Sequence, residues 1–171
     1  MNRIDAFTVK YNALSNVINS QVGVCAPFSQ NDPAPEINKH VAIWDTGASC
    51  TVITQKVVDG LNLKPIDIVM ASSASATEPT EVYLINLLLP NNIMIPGLRV
   101  LKMNVANSDV LVGMDIINLG DLSVTNHEGK TCMSFRLPSM HEVDYVKRIE
   151  ENLKKKSNPK TKKRRKKNRR K

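Results

Sequence analysis

The sequence predicts a small all-β barrel or sandwich carrying one or two short helices. Three observations support this. Short runs rich in Val, Ile and Leu recur along the chain, turn-forming stretches separate them, and helical spacing is confined to brief segments. With 171 residues, 42% apolar but only 4% aromatic, the chain has room for one core built mainly on aliphatic side chains.

The elements follow in order. Residues 1–37 read as an N-terminal extension containing a β-branched run at 17–26, which predicts a strand. Pro27 to Pro35 is a loop, because residues before proline are held extended. Runs at 41–44 and 51–53 predict two strands around Asp45-Thr46-Gly47. Residues 54–63 predict a short helix, capped by the Thr54 hydroxyl and ended by Gly60. Strands are expected at 66–70 and 81–89, with the small-residue run Ala71 to Thr77 as the hairpin tip between them. Further strands fall at 98–105 and 110–112, and a helical turn at 114–119. Runs at 122–125 and 131–135 flank a turn containing Gly129. Residues 141–156 predict a helix, with Val143, Val146 and Ile149 spaced by three.

The net charge of +8 hides two unlike parts. Residues 154–171 hold 13 Lys or Arg and no acid, leaving the rest with 11 basic and 16 acidic residues. This tail has no apolar periodicity and strong self-repulsion, which predicts disorder. It suits a solvated tail that aids solubility, or weak binding of nucleic acid, an acidic protein or an anionic membrane surface, and it lacks the aromatics that would stack on bases. Cys25, Cys50 and Cys132 are odd in number and far apart, fitting neither a disulfide framework nor a metal site. The three histidines are equally scattered, so no metal and no cofactor is expected. No apolar run approaches the roughly 18 residues of a membrane span, and the first residues lack a signal-peptide core. The expectation is a soluble, cytoplasmic protein.

Asp45 is the residue that needs explaining. It sits between Ile43-Trp44 and Gly47-Ala48, and a carboxylate in such surroundings is costly unless its charge is shared or used. Asp-Thr-Gly alone also suits an ordinary turn. A second motif, Asp109-Val-Leu-Val-Gly-Met-Asp-Ile-Ile117, reads as a buried strand entering a helical turn, with Gly113 allowing close approach to another backbone.

The two motifs in this order, with a small-residue hairpin between them, resemble the retropepsin-like aspartic proteases, most closely the small bacterial members. The residues carrying the resemblance are Ala42-Ile-Trp-Asp-Thr-Gly-Ala-Ser49, Asp109 to Ile117 and Gly120-Asp-Leu-Ser-Val-Thr-Asn126. Gly129 to Ser139 is similar to the end of the same domain. The resemblance implies a closed acid-protease barrel over 38–139, followed by a C-terminal helix at 140–153 and the basic tail at 154–171. It implies an aspartic endopeptidase with Asp45 as catalytic residue. Since the chain has one Asp-Thr-Gly and about 100 core residues, it also implies a two-fold homodimer in which two Asp45 carboxylates share one proton.

The remaining roles carry over by position. Thr46 matches the hydroxyl that bonds across the dimer axis, Gly47 the backbone that lies against substrate, and Ala48 the residue packed below. Ser49 completes the active loop. Leu111, Val112 and Gly113 match the strand that wraps behind it. Ser72, Ser73, Ala74, Ser75 and Ala76 match the flap over a bound peptide, here without the glycine that eases a tight turn. Ser49 and Met114 stand where retroviral members often place an Asp–Arg pair, and Asp115 is the candidate replacement. Substrate pockets are expected near 49–51, the flap and 111–112, giving a preference for apolar side chains. The dimer contacts are open, with 17–26 and 141–153 as candidates. The competing reading is a catalytically silent peptide-binding or dimerisation module docked on nucleic acid through the tail.

Overall fold

The computed structural model describes residues 5–29, 31–33, 35–72 and 77–157. It divides into two compact units, residues 1–140 and 141–171.

The first unit is mostly β. Its strands are β1 (Ala6–Lys10), β2 (Asn19–Cys25), β3 (Asn38–Trp44), β4 (Val52–Ile53), β5 (Asp67–Ser72), β6 (Thr77–Leu89), β7 (Ile93–Lys102), β8 (Val110–Val112), β9 (Asp121–His127) and β10 (Lys130–Arg136). Helices α1 (Gln55–Gly60) and α2 (Met114–Ile117) are short, and a 3-10 turn at Pro90–Asn92 links β6 to β7.

One sheet runs β2-β3-β8-β4-β7-β6-β5, and β2 pairs back onto β6 at Gly23↔Leu88 through Cys25↔Asn86. That second pairing closes six strands into a barrel, the architecture expected from the sequence. A separate sheet runs β1-β10-β9. β2, from the stretch read as part of an extension, is a barrel stave, paired with β3 over Asn19–Val24 and with β6 over Gly23–Cys25.

The barrel is filled by fully buried aliphatics, among them Val24, Ile53, Ile85, Leu87, Val100, Val110 and Val112. The three-stranded sheet is fastened to it through three aromatics. Phe7 of β1, Phe135 of β10 and Trp44 of β3 pack with ring centroids 5.0–6.1 Å apart in tilted pairs. Trp44 also donates its indole N–H to the buried Ser20 hydroxyl of β2 at 3.0 Å. The residue before Asp45 is therefore held from two sheets.

Two local differences from the sequence reading lie in this unit. β7 begins at Ile93, ahead of the expected 98, because Pro96-Gly97 is absorbed in a bulge. The register jumps from Ile85↔Leu98 to Leu87↔Ile95, and the buried Asn86 side chain accepts the Gly97 N–H at 2.9 Å. Thr54 precedes α1 as expected, but its hydroxyl makes no cap bond and is buried without a partner. Only its carbonyl serves the helix, accepting from Val57 and Val58.

The second unit contains α3 (Tyr145–Ser157). It starts four residues later than the sequence spacing suggests because Asp144 caps it, its carboxylate accepting the Lys147 N–H at 3.0 Å. Among the described residues no helix is long and apolar enough to cross a membrane.

Candidate active site

The loop after β3 is built by threading β8 between its two legs. β8 pairs parallel with β3, placing Trp44 opposite Val112, and antiparallel with β4, placing Val52 opposite Leu111. Parallel pairing on one side and antiparallel on the other makes the chain entering and the chain leaving the loop share one central strand.

The loop is then pinned bond by bond. Asp45 donates its N–H to the Val112 carbonyl at 3.0 Å, and its own carbonyl accepts from Ala48 at 3.3 Å. Its carboxylate accepts the Gly47 N–H at 2.8 Å. A Cβ on Gly47 would stand 3.1 Å from that same oxygen, so a side chain there would crowd the carboxylate. On the far side, the Ala48 carbonyl accepts the Met114 N–H at 2.8 Å.

Gly113 is where the wrap is tightest. A Cβ there would lie 2.6 Å from both the carbonyl carbon and oxygen of Cys50. Backbone meets backbone with no room for a methyl group, which is the close approach the sequence assigns to this glycine.

Thr51 and Asp115 hold the exit of the loop. Asp115 Oδ2 accepts the Thr51 N–H at 2.8 Å, and Oδ1 accepts the Thr51 hydroxyl at 2.7 Å and the Ile116 N–H at 2.9 Å. The Thr51 oxygen in turn accepts the Gly113 N–H at 3.2 Å. Asp115 thus supplies the anchoring that Ser49 and Met114 lack. Thr51 is a keystone that sequence reasoning did not single out, since its hydroxyl becomes meaningful only once the loop, β8 and α2 are together.

Thr46, Gly47 and Ser49 are exposed and Asp45 and Ala48 half-buried, so the loop crest faces outward. Thr51 and Val112, expected near the pockets, are buried inward at 0% exposure and cannot line a groove. Leu111 is half-buried. Ser72 and Thr77 form the last described pair of the hairpin, their hydroxyls 2.9 Å apart. Ser73, Ala74, Ser75 and Ala76 lie outside the described residues. A cavity of about 440 Å³ lies among Gln55, Thr80, Glu81 and Lys102, and none of the loop residues lines it.

The other motif carboxylates have structural partners. Asp109 accepts from Lys56 Nζ at 2.8 Å and lies 3.1 Å from His40 Nδ1, joining α1 and β3 to the start of β8. The Lys56 bond, aided by His40, holds its carboxyl below the usual range despite partial burial. Asp121 is bonded by the Ser139 hydroxyl at 2.6 Å, the Met140 N–H at 2.9 Å and Arg136 at 2.6 Å. Those donors push it well below the ordinary carboxylate range.

The aspartyl protease family matches residues 36–116, from just before β3 to α2. A comparison with curated proteins finds no match. Among solved structures the chain is similar to a retropepsin-like aspartic protease from Rickettsia conorii, at 10% identity and a TM-score of 0.47 over 77% of this chain and 94% of that one. It is also similar to EIAV protease complexed with the inhibitor HBY-793, at 20% identity and a TM-score of 0.43 over 64% of this chain and 91% of that one. The match to the aspartyl protease family spans both Asp45-Thr46-Gly47 and the strand that wraps behind it, so the stretch from β3 to α2 is similar to that family.

Proposed function

We propose that this peptidase is a homodimeric endopeptidase in which Asp45 of each subunit supplies one of two catalytic carboxylates. The observation that carries the reading is the presentation of Asp45: a loop fixed by Val112, Met114 and Gly47 holds its carboxylate at the crest. One chain offers one such loop. Two carboxylates brought together on a two-fold axis cannot both ionise, so one takes a proton from the attacking water while the other donates to the peptide carbonyl. The pair titrates as a unit. Thr46 is assigned the bond across the axis, Gly47 and Ser49 the contact with an extended peptide, and the 72–76 hairpin its cover.

The free edge of β9 supports a second copy. Its residues from Ser123 to His127 are exposed, and β10 alone pairs with it among the described residues. An unprotected seven-residue edge without proline or lysine invites another strand. The experiment is cleavage of a random peptide library between about pH 4 and 7, by wild type beside Asp45→Asn. Activity in the wild type alone, lost by several orders of magnitude in the variant, is expected together with a dimer in sedimentation. An active monomer, or equal cleavage by Asp45→Asn, refutes the shared-carboxylate mechanism.

A further inference from the structure

We propose that α3 and the basic run behind it form a docking element for anionic membrane surfaces. α3 carries Tyr145, Val146, Ile149 and Leu153, all 59–68% exposed. At about 100° per residue these four fall within one arc of roughly 100°, an apolar stripe along the helix. The remaining circumference is polar, with Lys147, Arg148, Lys154 and Lys155 beside Glu150, Glu151 and Asn152, and Lys156 closes the apolar arc at the C-terminal end. The positive charge is concentrated at the C-terminal end, where Lys154, Lys155 and Lys156 close the helix and ten more Lys or Arg follow between 160 and 171.

A short apolar stripe and a polybasic segment are each weak anchors, and stable binding to a bilayer surface takes two such signals together. Here they are contiguous. The stripe would sink into the headgroup boundary while the lysines and arginines meet lipid phosphates. The alternatives use only part of this arrangement. Nucleic acid has no need of an apolar stripe, and from 145 to 171 the sequence has a single aromatic, Tyr145, at the end of α3 away from the lysine cluster. A second α3 would bury far less than the roughly 1,200 Å² of a stable interface, and a parallel pair would bring the lysine clusters together. The inference does not depend on the catalytic reading, because it concerns the second unit alone.

The test is sedimentation of the full chain with vesicles, equimolar phosphatidylcholine and phosphatidylglycerol against phosphatidylcholine alone. Binding is expected only to the anionic vesicles. It should fall by about tenfold or more in the double variant Ile149→Asp/Leu153→Asp. It should also weaken when ionic strength rises from about 0.1 M to 1 M, which shortens the screening length from about 10 Å to 3 Å. Three results would overturn the proposal. One is no binding to anionic vesicles. Another is undiminished binding by the double variant. The last is a double variant that loses dimerisation or single-stranded RNA binding instead of lipid binding.

Discussion

Replacing Gly113 by alanine tests whether the loop owes its shape to the strand behind it. The added Cβ would stand 2.6 Å from the carbonyl carbon and oxygen of Cys50 and 3.1 Å from the Ala48 oxygen. All three are backbone atoms, so no side chain can swing aside. Reaching ordinary contact requires a relative shift of roughly 0.8 Å. That movement must be taken up by residues 48–50 or by β8, and both carry the bonds that place Asp45. Overpacking of this kind costs about 1–3 kcal/mol, or roughly 3–10 °C in Tm for a domain this size. The effect on rate should be larger, since about 1 Å of misplacement can cost on the order of 100-fold. The assay is kcat/KM on a peptide the wild type cleaves, with Tm by calorimetry. Gly97→Ala is the control. Its φ of +63° disfavours a side chain, but nothing lies within 4 Å of the new Cβ. It should lose about 1–2 kcal/mol while each folded molecule stays fully active. Wild-type activity and Tm in Gly113→Ala would show that the loop does not lean on this strand.

Two other outcomes follow from the same geometry. Asp115→Ala removes the acceptor for the Thr51 N–H and hydroxyl, and leaving the buried donor unmet should cost about 1–3 kcal/mol and depress kcat. Asp115→Asn, which keeps one acceptor oxygen, should recover part of both; equal loss in the two variants would mean the bonds are not what matters. Asp121 has a folded pKa below its unfolded value of about 3.9. The folded state therefore holds fewer protons between those values. Its contribution is fully present above the unfolded value and is lost as pH falls through the folded one. The urea midpoint of the wild type should drop more steeply below about pH 4 than that of Asp121→Asn, and parallel curves would contradict the assignment.

The parts legible in the sequence were those fixed by short-range pattern. β3, β4 and β6 declared themselves through aliphatic runs, and the Asp45 loop and Gly113 through residue types that have few other uses together. What was hidden depended on partners distant along the chain. β1 is five residues long and pairs with β10, Ala6 lying opposite Arg136. Nothing within Ala6–Lys10 signals that neighbour. The bulge at Gly97 was masked because Pro-Gly reads as a break, and only the Asn86 side chain converts it into a continuous strand. Thr54 shows the opposite error: a residue type suited to capping occupies the cap position, yet its hydroxyl does not bond there.

Threading β8 between the legs of the loop has a consequence for synthesis. The Asp45 motif leaves the ribosome early, but the carbonyl that fixes it, Val112, is translated 67 residues later. At about 5–20 residues per second that interval lasts roughly 3–13 s. Throughout it the nascent chain carries Asp45-Thr46-Gly47 without the backbone that shapes the loop, and pairing across such distances is intrinsically slow. Any translation product that stops short of β8 carries the signature of a peptidase but lacks the strand that organises its active loop.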